Sequence, residues 1–154
     1  SWHFYDDHEV TTVLVTIEYE VEFASLDNYI LMVRENTTST VSFTTVRFNS
    51  SGKINIYDRS GFVPNVGSYQ ANQAYIFSVT YDLDQGTYMV KLDNEVLLEN
   101  RSYDYSGELG VGKIILGFDS TSDEDAAMII DDLQVYIPDL NDEVIFKNDF
   151  ESEL

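Results

Sequence analysis

The chain has 154 residues, with 28 Asp+Glu against 8 Lys+Arg and a formal net charge of −20. That length holds one ordinary domain with a real core, and 44% hydrophobic with 14% aromatic residues excludes a disordered acidic tail. Such a negative field repels phosphate backbones and anionic membrane surfaces, so neither nucleic acid nor membrane insertion is expected, and the lack of cysteine removes disulfides and thiolate chemistry.

The opening SWHFYDDHEV has neither the basic nor the apolar region of a signal peptide. His3 and His8 with Asp6 and Asp7 match no zinc spacing, and a solvated terminus is the expectation there. From Val13 to Phe23 the odd positions read Val13, Val15, Ile17, Tyr19, Val21 and Phe23, and the even ones include Glu18, Glu20 and Glu22. Period two over that length predicts a strand with one face in a core and one acidic face in water. Further strands are predicted at Tyr29–Val33, Val41–Phe48, Lys53–Tyr57, Tyr75–Tyr81, Thr87–Leu92, Val96–Leu98, Lys113–Phe118, Met128–Tyr136 and Val144–Phe146. Ser51-Gly52, Ser60-Gly61, Val66-Gly67, Gln85-Gly86, Asp93-Asn94 and Ser106-Gly107 punctuate them as turns. No segment keeps a 3.6-residue period and no linker divides the chain. The fold class is therefore all-β, a two-sheet antiparallel β-sandwich.

The stretch Phe77–Glu99, FSVTYDLDQGTYMVKLDNEVLLE, resembles a hairpin of concanavalin A-like (laminin-G-like, glucanase-like) jelly rolls, with Asn94 where Gly is common. MIIDDLQVY (Met128–Tyr136) is similar to the strand that closes many of these domains. The last residues, VIFKNDFESEL (Val144–Leu154), resemble the strand that opens them. That leaves residues 1–142 as the sandwich and 143–154 as a displaced opening strand. The domain is then circularly permuted, one unit of a tandem array, or completed by a strand donated from the next copy; the alternative is a strand folding back into its own sheet. Donation would use Val144, Phe146 and Phe150 for register and would join copies head to tail.

Glycosidases of this superfamily's laminarinase-like branch use an E-x-D-x-x-E strand, which is missing, and Glu18, Glu20 and Glu22 read as a solvated face. With no G-x-S-x-G elbow and no phosphate loop, the chain is expected not to be an enzyme. Calcium is the expected cofactor, since it takes oxygen ligands from Asp-rich loops. The resemblance implies Asp149 and Glu151 with Asp131 or Asp132 as its ligands. Carbohydrate binding needs exposed aromatic rings; Tyr57, Tyr69, Tyr103 and Tyr105 lie in or beside predicted loops, and Tyr103 with Tyr105 is the favoured ligand-binding pair. Three N-glycosylation sequons, at Asn36, Asn49 and Asn100, point to an extracellular or cell-surface location. The expected function is a structural module that builds a filament or array from copies of itself; the alternative is a calcium-dependent glycan-binding module or adhesin.

Overall fold

In the computed structural model the alternation from Leu14 becomes one ten-residue strand, and Val15, Ile17, Tyr19, Val21 and Phe23 are all buried. The structure describes residues 2–3, 14–35, 41–105, 110–138 and 143–148. The strands are β1 (Trp2–His3), β2 (Leu14–Phe23), β3 (Tyr29–Arg34), β4 (Ser42–Phe48), β5 (Lys53–Asp58), β6 (Gly61–Ser68), β7 (Ala74–Asp82), β8 (Thr87–Leu92), β9 (Glu95–Ser102), β10 (Lys113–Phe118), β11 (Met128–Ile137) and β12 (Glu143–Asn148). They form two antiparallel sheets, sheet I in the order β1-β10-β3-β4-β5-β6 and sheet II in the order β12-β11-β2-β7-β8-β9. There is no helix among the described residues. The fold is the two-sheet β-sandwich that the alternation predicts.

Aromatic rings from both sheets fill the space between them. Phe23 of β2 lies 4.7 Å from Tyr29 of β3, 4.8 Å from Phe48 of β4 and 4.6 Å from Tyr69. Thr44 and Tyr81 share a hydrogen bond of 2.6 Å between the sheets, so the phenol is satisfied where no water reaches it. A second brace closes the β5–β9 side. Asp58 is buried and accepts from Arg101 Nε at 2.6 Å, from the Tyr88 hydroxyl at 2.8 Å and from the Ser60 amide at 2.8 Å. Burial pushes the Asp58 carboxyl up, but those donors outweigh it and hold the carboxyl below the usual carboxylate range.

The turns follow the residue chemistry. Asp93 and Asn94 both take positive φ, 49° and 66°, in the two-residue link between β8 and β9, the conformation that Asn and Asp accept where Gly is commoner. Two strands were not predicted, β1 and β6. In β6, Gly61, Pro64 and Gly67 read as turn residues, yet β6 is the edge of sheet I, where a proline needs no ladder partner on its open side. In this chain the tail takes the alternative arrangement, folded back into its own sheet. β12 pairs with β11 of its own chain, with Val135 opposite Phe146 and Tyr136 opposite Val144. Only residues 138–142 separate the two strands, so closing that link within one chain costs little entropy. Phe150 lies outside the described residues.

Candidate functional site

Summed strand by strand, the charge separates. β3, β4, β5, β6 and β10 contain one carboxylate, the buried Asp58, together with Arg34, Arg47, Lys53 and Lys113. The strands of sheet II carry Glu18, Glu20, Glu22, Asp82, Glu95, Glu99, Asp131, Asp132 and Glu143 against Lys91, Arg101 and Lys147. Alternation then sorts side chains in or out, because successive residues point to opposite faces. The outward positions of sheet I, opposed across neighbouring strands, form rows. One runs Ile115, Met32, Thr45, Tyr57, Phe62 across five strands, a span of roughly 19 Å at the usual strand spacing. The next runs Gly117, Ile30, Arg47, Asn55, and on the other side Lys113 stands opposite Arg34.

At one end of the first row two rings lie open. Tyr57 is 40% exposed and Phe62 52%, with ring centroids 5.1 Å apart and planes tilted by 42°. Arg47 stands with its guanidinium carbon 5.4 Å above the Tyr57 ring, and its Nη1 donates to Asp119 at 2.5 Å. Hydrogen bonding from the Thr121 amide is the chief cause that holds the Asp119 carboxyl below its ordinary range, with Arg47 adding to it against some burial. Arg34 is tied to its own face, Nε donating to the Ser42 hydroxyl at 3.0 Å. The result is an apolar and aromatic strip, edged by cations, on a chain of net charge −20.

The predicted site residues fall elsewhere. Tyr103 and Tyr105 are 8% and 6% exposed and pack on Phe43 at 5.0 and 4.4 Å; Tyr105 also donates to buried Glu35. Burial raises the Tyr103 hydroxyl above its ordinary range. The pair belongs to the core and offers no ring to a ligand, because the loop after β9 turns both side chains inward; this corrects their assignment as a sugar-binding pair. Tyr69 is buried too, its hydroxyl pushed up to about 12 mainly by burial. Tyr57 is the loop-side tyrosine that does face solvent. Asp131 and Asp132 sit at a register shift in β11, with Asp131 opposite Glu20; Asp149 and Glu151, their expected partners in a calcium site, lie outside the described residues. Among the described residues no group of three or more His, Asp or Glu is placed to hold a metal ion. Asn49 is half-buried, its side-chain oxygen accepting from the Ser51 and Lys53 amides at 3.0 Å each. Asn100 is exposed with φ 56°, and Asn36 lies outside the described residues.

Sheet II has a cavity of about 200 Å³, lined by Leu14, Thr80, Asp82, Thr87, Tyr88, Met89, Glu99 and Asn100. It has two carboxylates and no cation. Sheet I instead gathers two exposed aromatic rings and a guanidinium group on one surface. Arg47 and Phe62 escaped the sequence reading. The signal was there, since the predicted strands Tyr29–Val33, Val41–Phe48, Lys53–Tyr57 and Lys113–Phe118 contain no acid at all.

No family model matches the sequence, and no curated protein matches it. Solved structures do match by shape. One sialidase superposes with a TM-score of 0.63 at 11% identity, over 80% of this chain and 13% of that chain. The alginate lyase AlyC3 gives 0.61 at 15% identity, over 83% of this chain and 67% of that one. A botulinum neurotoxin type C structure, titled for cell entry dependent on interaction with two ganglioside molecules, gives 0.51 at 11% identity, over 91% and 34%. The chain thus spans about an eighth of that sialidase's length. At such identities the likeness is one of fold, a two-sheet β-sandwich consistent with the concanavalin A-like resemblance of the hairpin at Phe77–Glu99. Two of these three structures are named as enzymes, which overturns the expectation that the chain is not one. A missing E-x-D-x-x-E motif excludes one arrangement of carboxylates, and a fold hosts many arrangements.

Proposed function

We propose that the outward face of sheet I binds carbohydrate. The observation that carries this reading is the exposed Tyr57–Phe62 pair at the end of an apolar row, with the exposed Arg47 beside it. Sugar rings have apolar faces that stack on aromatic rings, and hydroxyls at their edges that planar amides and guanidinium groups fix in place. Three shape matches whose names or titles refer to sialidase, alginate lyase and ganglioside add support from proteins of the same fold. The row crosses five strands, so an extended chain of sugars can lie along it in contact with rigid elements.

The test is calorimetry of the intact protein against a panel of neutral and acidic oligosaccharides. The reading predicts at least one binder, with affinity reduced about tenfold or more by Tyr57→Ala or Phe62→Ala, the scale of one lost anchor. Sizing the recovered oligosaccharide after incubation reports whether binding is coupled to cleavage. Binding that survives the double variant Tyr57→Ala/Phe62→Ala unchanged refutes the assignment of this face.

A further inference from the structure

Arg47 is held in a way that stability does not explain. Its Nη1 donates to Asp119 Oδ2 at 2.5 Å, but the arginine side chain is 45% exposed, and a pair that open to water adds little to folding. Asp119 in turn is fixed from behind. Its Oδ1 accepts from the Thr121 amide at 3.1 Å and from the Thr121 and Ser120 hydroxyls at 3.2 and 3.3 Å, while its own amide donates to Asn28 O at 3.0 Å. So the carboxylate is a strut that holds the guanidinium over Tyr57. A guanidinium carries five donors in a planar fork. The strut engages Nη1, and the Nε and Nη2 donors make no hydrogen bond among the described residues. That free edge matches a carboxylate in a two-bond, fork-to-fork contact.

We propose that this face selects carboxylated saccharides, with Arg47 reading the sugar carboxylate and Asp119 acting as the positioning residue that aims it. The inference rests on the carbohydrate reading above and adds the ligand's charge. Lys113, Arg34 and Lys53 surround the same rows, and no outward carboxylate on β3, β4, β5, β6 or β10 competes for them. The net charge of −20 does not forbid an anion here. The acidic side chains of sheet II lie beyond both sheets, more than about 10 Å away, where physiological salt screens them over about 8 Å. The carboxylate can come from a uronic acid within a chain or from a terminal sialic acid, and the chemistry at Arg47 is the same.

The experiment uses the intact protein with an alginate-derived oligouronate, its carboxyl-reduced counterpart, 3′-sialyllactose and lactose. The expected result is that a carboxylated ligand binds about tenfold or more tightly than its neutral partner, as a charge-assisted pair should. Preference for the oligouronate assigns a uronic acid chain, and preference for sialyllactose a terminal sialic acid. Arg47→Ala should bring the charged and neutral ligands to within about twofold of one another. Asp119→Asn should weaken only the carboxylated ligand, about threefold or more, with the thermal midpoint unchanged; a merely structural residue would not separate the two ligands. Equal affinity for the charged and neutral partners, still lost in Tyr57→Ala, overturns this inference and leaves the carbohydrate reading standing. No binding of any of the four overturns both. A tighter carboxylated complex in Asp119→Asn would make Asp119 a competitor for Arg47 and overturn its positioning role.

Discussion

Sheet I and sheet II are built by the same alternation, bury the same kind of residue against each other, and differ in what they turn outward. On sheet II the outward row includes Asp131, Glu20 and Ile76, with Glu22 and Glu18 on either side along β2. On sheet I the corresponding surface carries Arg47, Tyr57 and Phe62, while Asn55 is buried with its side-chain oxygen accepting from the Asn65 amide, and the one acid of those strands, Asp58, points into the core. Like charges set side by side in water keep the chain soluble and leave an edge unattractive to neighbours. The other surface has no outward carboxylate on β3, β4, β5, β6 or β10 and shows two open rings, and it is the face proposed to take a ligand. The difference teaches that the net charge of a chain can hide a face of the opposite sign.

The comparison breaks most visibly at the inward acid. Asp58→Ala strips the partner from Arg101 and Tyr88 at the β5–β9 brace and should cost about 2–4 kcal/mol, read from a urea or thermal midpoint, because it orphans groups held inside. Its titration has a definite sign. The folded carboxyl lies below its unfolded value, so its contribution is complete above that value, near 3.9, and is lost as pH falls through the folded one. The stability gap between the wild type and Asp58→Asn should therefore hold from pH 7 down to about pH 4 and narrow below it; a gap that widens on acidification would contradict the brace.

Next in size is the ligand face itself. Tyr57→Ala and Phe62→Ala should leave stability within about 1 kcal/mol, since both rings are largely open, while oligosaccharide affinity falls. If either variant unfolds the protein, those rings are core residues and the two faces are not distinct in kind. The smallest effect is expected on the acidic side. Glu20→Gln removes one of several neighbouring like charges and should shift stability by no more than about 0.5 kcal/mol, in the stabilising direction, without touching ligand affinity. A loss of binding in Glu20→Gln would move the site to sheet II.

The sandwich itself was legible because β2 alternates from Ile17 to Phe23 and the Asp93-Asn94 turn announces its hairpin. β6 was not, because Pro64 and its two glycines signal turns and only the strand's place at a sheet edge makes them tolerable. The proposed ligand face was half legible, since its strands lack acids in the sequence but their pairing does not show there. Lys113 stands opposite Arg34, and Ile115 opposite Met32, across a pairing of β10 with β3 that sequence distance gives no hint of. Tyr103 and Tyr105 misled because a polar flank around Asp104 looks like an exposed loop, whereas Phe43 and Tyr81 draw the rings inward. The carboxylate motif misled in another way, by standing for one branch of a fold on which other chemistries are found.

The central claim is that the outward face of sheet I, and not that of sheet II, meets the sugar. Backbone amide shifts measured as an alginate-derived oligouronate is added to labelled protein test it residue by residue. The account predicts that the perturbed amides cluster at Met32, Thr45, Arg47, Tyr57 and Phe62, across the strands that the rows connect. Shifts confined to Glu18–Glu22 and Asp131, or to the cavity at Thr80, Asp82, Met89 and Glu99, would contradict it.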